Sequence, residues 1–227
     1  LTLGGLRRWA DWGIAAHRTD YPGLDAYFSL SSEASRAILK SERKGVLLVD
    51  VQRRLTMYLR ALWGRDFMLV PTAGDCETRA GLPPFAESHM LHLPDALDDW
   101  PGIPALDLYR AQAAHLAAHL SALAGPVPAE GLGALELQCI GLIEDARAEA
   151  LAIDRFPNLR GLWAGFHCAT APGTAGIFDR IARALISGRA EDALGEQTLA
   201  DFAALDLADP LAARRAGLYL ARRLGTL

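Results

Sequence analysis

The chain has 227 residues, 51% of them hydrophobic, and a formal net charge of -4 with Arg and Lys mixed among Asp and Glu. That is enough apolar material for a substantial core, and the lack of an extended basic field argues against nucleic acid and anionic membrane as partners. Cys76, Cys139 and Cys168 are odd in number, widely spaced and without a CxxC, which excludes a zinc ribbon and suits reduced thiols in the cytoplasm.

No run of about eighteen apolar residues is present and the first residues lack a signal pattern, so neither export nor membrane insertion is expected. With Leu1 in place of Met, the chain reads as a piece of a longer polypeptide.

In chain order, residues 6–17 carry Leu6, Trp9 and Gly13 on one side with Trp12 and Ala16 close by, the spacing of a short helix. Tyr21-Pro22-Gly23 reads as a break, followed by helical turns at 24–30 and 32–39, the second capped by Ser31 or Ser32. The charged stretch from Lys40 to Gly45 is a solvated connection. Over 46–63, Leu48, Val51, Leu55, Tyr58, Leu59 and Leu62 recur at helical spacing, and Gly64 stands where a left-handed terminator belongs. The pattern then changes. Residues 67–70, ended by Pro71, and 88–93, ended by Pro94, are predicted strands of a small β element, with 72–87 as a loop or wide hairpin between them. Alternation would place His89 and His92 on opposite faces of the second strand, so they cannot serve one site.

Two central helices follow, over 108–123 and 135–153, each with polar residues set in an apolar stripe. Beyond them 156–174 reads as loop-rich, with Trp163, Phe166, His167 and Cys168. Helices are then expected at 177–186, ended by Gly188, at 190–205, and from Asp209-Pro210 through 224. The predicted fold class is mainly α with a small two-stranded β element. One domain over 1–227 is expected: helical 1–64, a β-containing insert 65–104, the central helix pair 105–155, and a loop with C-terminal helices 156–227.

The chemistry concentrates in the central pair. His115 and His119 are four apart, so a helix presents both imidazoles on one face, as HExxH zinc peptidases do. A third ligand in such enzymes comes from a later helix, and Glu144, on the helix side shared with Leu137, Ile140, Ala148 and Leu151, is the expected one for zinc or another divalent metal. Leu116 stands where the general-base glutamate belongs. Leucine cannot activate water, so hydrolysis by this mechanism is not expected. Asp145 and Glu149, also four apart, need a cation between them, either an imidazolium from His115 or His119 or the guanidinium of Arg147; a polar clamp of this kind is the alternative to a metal site. His167 is a further conceivable ligand, though a lone His in an aromatic loop is more often structural. Neither a GxGxxG, a P-loop nor a GxSxG elbow is present, so nucleotide binding and serine hydrolase chemistry have no support.

Three groups of residues, taken together, resemble one family. They are Leu62-Trp63-Gly64-Arg65-Asp66-Phe67 with Pro71-Thr72 and Glu77-Thr78-Arg79; His92-Leu93-Pro94-Asp95 with Leu106-Asp107-Leu108-Tyr109-Arg110; and Gly141-Leu142-Ile143-Glu144-Asp145-Ala146-Arg147 with Glu149-Ala150-Leu151. In this order they are similar to the N-terminal region of CbbO and NorD proteins, partners of MoxR-class AAA+ ATPases, over about Arg7 to Leu224. The resemblance implies an adaptor without catalytic residues that docks on a hexameric ATPase ring of the CbbQ or NorQ type. The client, met mainly through a C-terminal von Willebrand factor A domain absent from these residues, would be Rubisco for CbbO or nitric oxide reductase for NorD, with CbbO favoured. The family contributes no catalytic set, so His115, His119 and the acids remain a reading of the residues themselves, in which the helix pair is similar to a degenerate zincin core reused for docking.

Overall fold

In the computed structural model, residues 3–42, 45–72, 83–122, 128–167 and 174–225 are described. Ten helices and five short strands lie among them, a mainly α fold as expected. The predicted 73–82 part of the loop, Cys76, Cys168, Leu123 and the Glu77-Thr78-Arg79 stretch lie outside the described residues.

The N-terminal unit is three short helices, α1 (Leu3–Ala16), α2 (Tyr21–Phe28) and α3 (Glu33–Ser41). The break expected at Tyr21-Pro22-Gly23 is instead the first turn of α2: the Asp20 carboxylate accepts from Gly23 N–H, and Pro22 sits where a missing N–H costs nothing. Ser32 caps α3 through its hydroxyl, which accepts from Ser35 N–H at 3.0 Å. Trp9 stacks on Tyr27 at 5.1 Å between ring centroids, its indole N–H donates to Ser35 O, and the Tyr27 hydroxyl donates to Trp9 O. These bonds satisfy polar atoms that would otherwise be buried unpaired.

Strand β1 (Val46–Leu47) precedes α4 (Leu48–Trp63), so the helix begins two residues later than its spacing predicts. Leu48, Val51, Leu55 and Leu59 are its buried stripe, and Gly64 ends it with φ 68°, a conformation that a side chain disfavours. The β element is larger than the single pair expected. Strands β2 (Met68–Pro71), β3 (Phe85–Glu87) and β4 (Met90–Leu93) form one sheet in the order β2-β4-β3, with β2 parallel to β4 and β3 antiparallel to it. Strand β5 (Ala96–Leu97) pairs antiparallel with β1. The predicted strands therefore do pair, but in parallel, with a third strand folded back beside the second.

Next come α5 (Ala105–Ala122) and α6 (Ala134–Arg155). The Asp99 carboxylate accepts from Ala105 N–H at 2.8 Å, and Glu136 accepts from Gly133 N–H at 2.8 Å, which fixes where each helix starts. The stretch expected to be a loop holds α7 (Leu159–Ala164), anchored by Trp163, whose indole donates to Ala111 O at 3.1 Å. The chain ends in α8 (Thr174–Ser187), α9 (Ala193–Ala203) and α10 (Ala212–Leu224). No described helix is long and apolar enough to cross a membrane.

The helix pair links three apolar clusters. Leu116 and Ala117 of α5 pack with Leu55, Leu59, Leu91 and Leu93 against α4 and the sheet. Ala111, Ala114 and Ala118 of α5 meet Ala148, Ala152 and Trp163. The far side of α6, with Cys139 and Ile143, packs on Ile181, Leu220 and Ala221. The alanine contacts let α5 and α6 lie close, and each fully buried leucine contributes roughly 1.5–3 kcal/mol.

Candidate functional site

Between α5 and α6, four side chains form one cluster. His115 and His119 project from α5 one turn apart, with ring centroids 4.7 Å apart and planes at 70°. Asp145 and Glu149 project from α6, also one turn apart, so two four-residue spacings face each other. The nitrogen Nδ1 of His115 lies 3.0 Å from Glu149 Oε1, leaving its Nε2 to point inward. That Nε2 lies 3.1 Å from His119 Nε2 and 3.5 Å from Asp145 Oδ1, while His119 Nε2 and Asp145 Oδ1 are 3.0 Å apart. Trp163 closes one side with its ring edge-on to His115. Glu149 is buried, the two histidines are largely so, and Asp145 is half exposed. The cluster thus has a dry floor and a wet rim.

His115, His119 and Asp145 are a set that could hold a metal ion, each offering one donor atom within 4.8 Å of the others. Glu144, expected as the third ligand, has a different role: both of its oxygens accept from Arg147, Oε2 from Nε and Oε1 from Nη2, each at 2.8 Å. Asp145 takes the third position instead. One residue is 100° on a helix, and the signal available in the sequence was the match between the 115/119 and 145/149 spacings. Arg147, weighed as a clamp partner for Asp145 and Glu149, is paired with Glu144 and with backbone carbonyls, and the imidazoles face those two acids. His167 lines a cleft of about 290 Å³ together with His115, Glu149 and Trp163 but is not in the metal-holding set. His92 of β4 stacks on Phe85 at 4.1 Å, whereas His89 lies in the turn before the strand. His89 thus falls outside the strand in which both histidines were expected, so strand alternation does not govern the pair.

Burial alone would lower the pKa of His115, but hydrogen bonds and charge from Asp145 and Glu149 outweigh it and raise the value to about 9. Burial would raise Asp145, yet bonds and charge from the two histidines hold its carboxyl well below the usual carboxylate range. The His115 contribution is complete below its ordinary pKa of 6.5 and disappears as pH rises through about 9. The Asp145 contribution is present above its ordinary 3.8 and is lost as pH falls further. In chelator-treated protein, the stability difference between the parent and His115→Ala should therefore shrink by about 2 kcal/mol from pH 6 to pH 10, a figure already reduced for partial solvent screening. Urea melts across that range measure it, and a difference independent of pH would exclude the charged pair.

Leu116 has 8% of its surface exposed and belongs to the apolar cluster under the sheet. It occupies the position of the HExxH glutamate and lines the same cleft as His115 and Glu149 with an apolar side chain. No protein-family model, no curated protein and no solved structure matches this chain.

Proposed function

We propose that this chain is the non-catalytic docking domain of a CbbO/NorD-type protein, acting by contact with a hexameric MoxR-class AAA+ ATPase ring of the CbbQ or NorQ type. In the CbbO-type reading, placed first, the ring remodels inhibited Rubisco; in the NorD-type reading the client is nitric oxide reductase. Both place client contact mainly in a C-terminal von Willebrand factor A domain. Support for the partner comes from the three groups of residues that resemble the family. Support for the non-catalytic role comes from one observation, the apolar Leu116 at the position of the HExxH glutamate, beside a histidine pair that engages the carboxylates of Asp145 and Glu149. A cytoplasmic setting accords with Cys139 as a buried free thiol.

The test is capture of the purified ring ATPase, with and without nucleotide, by the immobilised chain. Retention by the chain alone supports the reading; retention only when the von Willebrand factor A domain is present overturns it. A metal-dependent, zincin-like hydrolase is the second reading, favoured by the histidine–carboxylate cluster itself. Peptide hydrolysis by the zinc-loaded chain, abolished by a chelator, would establish it in place of the first.

A further inference from the structure

We infer that His115 Nε2, His119 Nε2 and Asp145 Oδ1 form a site for a first-row divalent metal ion of the Zn²⁺ class, with Glu149 orienting His115, and that the ion staples α5 to α6. The inference rests on the cluster geometry and stands apart from the docking reading.

Three observations converge on it. The first is distance. The three donor atoms form a triangle with sides of 3.0, 3.1 and 3.5 Å. Such a triangle has a point about 2.0 Å from all three corners, slightly off their plane, which is the bond length that zinc makes to imidazole nitrogen and carboxylate oxygen.

The second is hydrogen bonding. With both imidazoles neutral and Glu149 holding the His115 Nδ1–H, a proton on His119 Nε2 is shared between Asp145 Oδ1 at 3.0 Å and His115 Nε2 at 3.1 Å, which leaves the lone pairs of His115 Nε2 and Asp145 Oδ1 facing each other at 3.5 Å. One cation at the centre removes that opposition, because all three atoms then turn lone pairs toward it.

The third is the support around the donors. Glu149 is 3.0 Å from His115 Nδ1, so it accepts the Nδ1–H and leaves the Nε2 lone pair for a metal. A carboxylate behind a ligating imidazole has this role in metal sites generally, fixing the tautomer and making the nitrogen a better donor. The charges also balance: two neutral imidazoles and two carboxylates, Asp145 and Glu149, neutralise a dication.

The donor chemistry selects the class of ion. Two imidazole nitrogens and one carboxylate suit Zn²⁺, Co²⁺, Fe²⁺ or Ni²⁺, whereas Mg²⁺ and Ca²⁺ favour all-oxygen sets. Three protein donors leave a fourth position open, on the rim where 52% of the Asp145 side-chain surface is exposed. With leucine at position 116, an apolar side chain stands in place of the HExxH glutamate that would take the proton of a water held there. The ion then joins the two helices without supplying hydrolysis.

The experiment uses the whole chain, stripped with a chelator, dialysed, and titrated with Co²⁺ and separately with Zn²⁺. One equivalent of Co²⁺ should produce visible ligand-field absorption, one equivalent of Zn²⁺ should displace it, and excess Zn²⁺ should raise Tm. His119→Ala and Asp145→Asn should weaken binding at least about 100-fold, and Glu149→Gln about 10- to 100-fold while leaving the Co²⁺ spectrum unchanged in shape. The exposed His89→Ala should bind as the parent does. Far-ultraviolet circular dichroism of the metal-free variants shows whether each retains its helices, and Glu149→Gln, which keeps all three donors, carries the test if another variant unfolds. Absence of the Co²⁺ absorption in the parent, or unchanged affinity in folded Asp145→Asn, would overturn the site. Ring capture plays no part in these measurements, so failure of the docking reading would leave them standing.

Discussion

Replacing Arg147 with alanine is expected to destabilise the protein by about 3–5 kcal/mol, because it leaves an acid and two carbonyls without their donor in the interior. Arg147 is 1% exposed, the largest fully buried side chain among the described residues. Its guanidinium holds both oxygens of Glu144 at 2.8 Å, and it also donates to Leu207 O at 2.8 Å and Ala122 O at 3.2 Å. Those carbonyls belong to the last residue of α5 and to the segment before α10, so one side chain ties α6 to both neighbours. Lysine is not an adequate substitute. A single ammonium cannot reproduce the planar fork, and Arg147→Lys should lose about 2 kcal/mol. The double variant Glu144→Gln, Arg147→Met should recover much of the alanine loss, since it removes the uncompensated charge and refills the volume. Urea denaturation followed by circular dichroism measures all three. A loss below about 1 kcal/mol for Arg147→Ala would show that the network is not holding α6 in place.

Arg147 also explains why part of the site was hard to see in the sequence. Helical spacing gives direction but not partner. Glu144 and Asp145 are neighbours, and the apolar company of Glu144 on the helical wheel correctly suggests an inward side chain. What the wheel cannot reveal is that a buried arginine three residues later claims both of its oxygens. The histidine pair and the 145/149 acid pair were legible, because equal four-residue spacings on two long helices can face each other in only a few registers. The long helices were legible for a related reason: residues such as Leu48, Val51, Leu55 and Leu59 repeat often enough for the 3.6-residue period to dominate. The short elements were not. Three-residue β3 is too brief to show alternation, six-residue α7 too brief to show a helical period, and Pro22 reads as a breaker until Asp20 is known to cap the turn around it. Parallel pairing of β2 with β4 is likewise set by what lies beyond the two strands.

A close approach of α10 to α6 yields a prediction with opposite signs at two glycines on facing helices. On α10, Ala213, Gly217 and Ala221 follow one another at four-residue spacing and are all buried. A Cβ at Gly217 would stand 2.5 Å from Ile140 Cα and 2.7 Å from Ile140 N on α6, well inside any allowed contact. The obstacle is backbone, which cannot rotate aside, so Gly217→Ala must push α10 off α6 and open the cluster of Cys139, Ile143 and Leu220. Alanine's helix preference returns about 1 kcal/mol, but the separation should outweigh it and leave a net loss of about 3 kcal/mol, or about 10 °C in Tm for a chain of this size. Gly141, next to Ile140 on the same helix, is the control. A Cβ there meets nothing within 4 Å, so Gly141→Ala should gain roughly 0.5–1 kcal/mol from the lower entropy of the unfolded chain. Thermal melts of the two variants read the sign of each change. A Gly217→Ala protein within about 0.5 kcal/mol of the parent would mean that the two helices can part at little cost, and that the third cluster is not held by their close crossing.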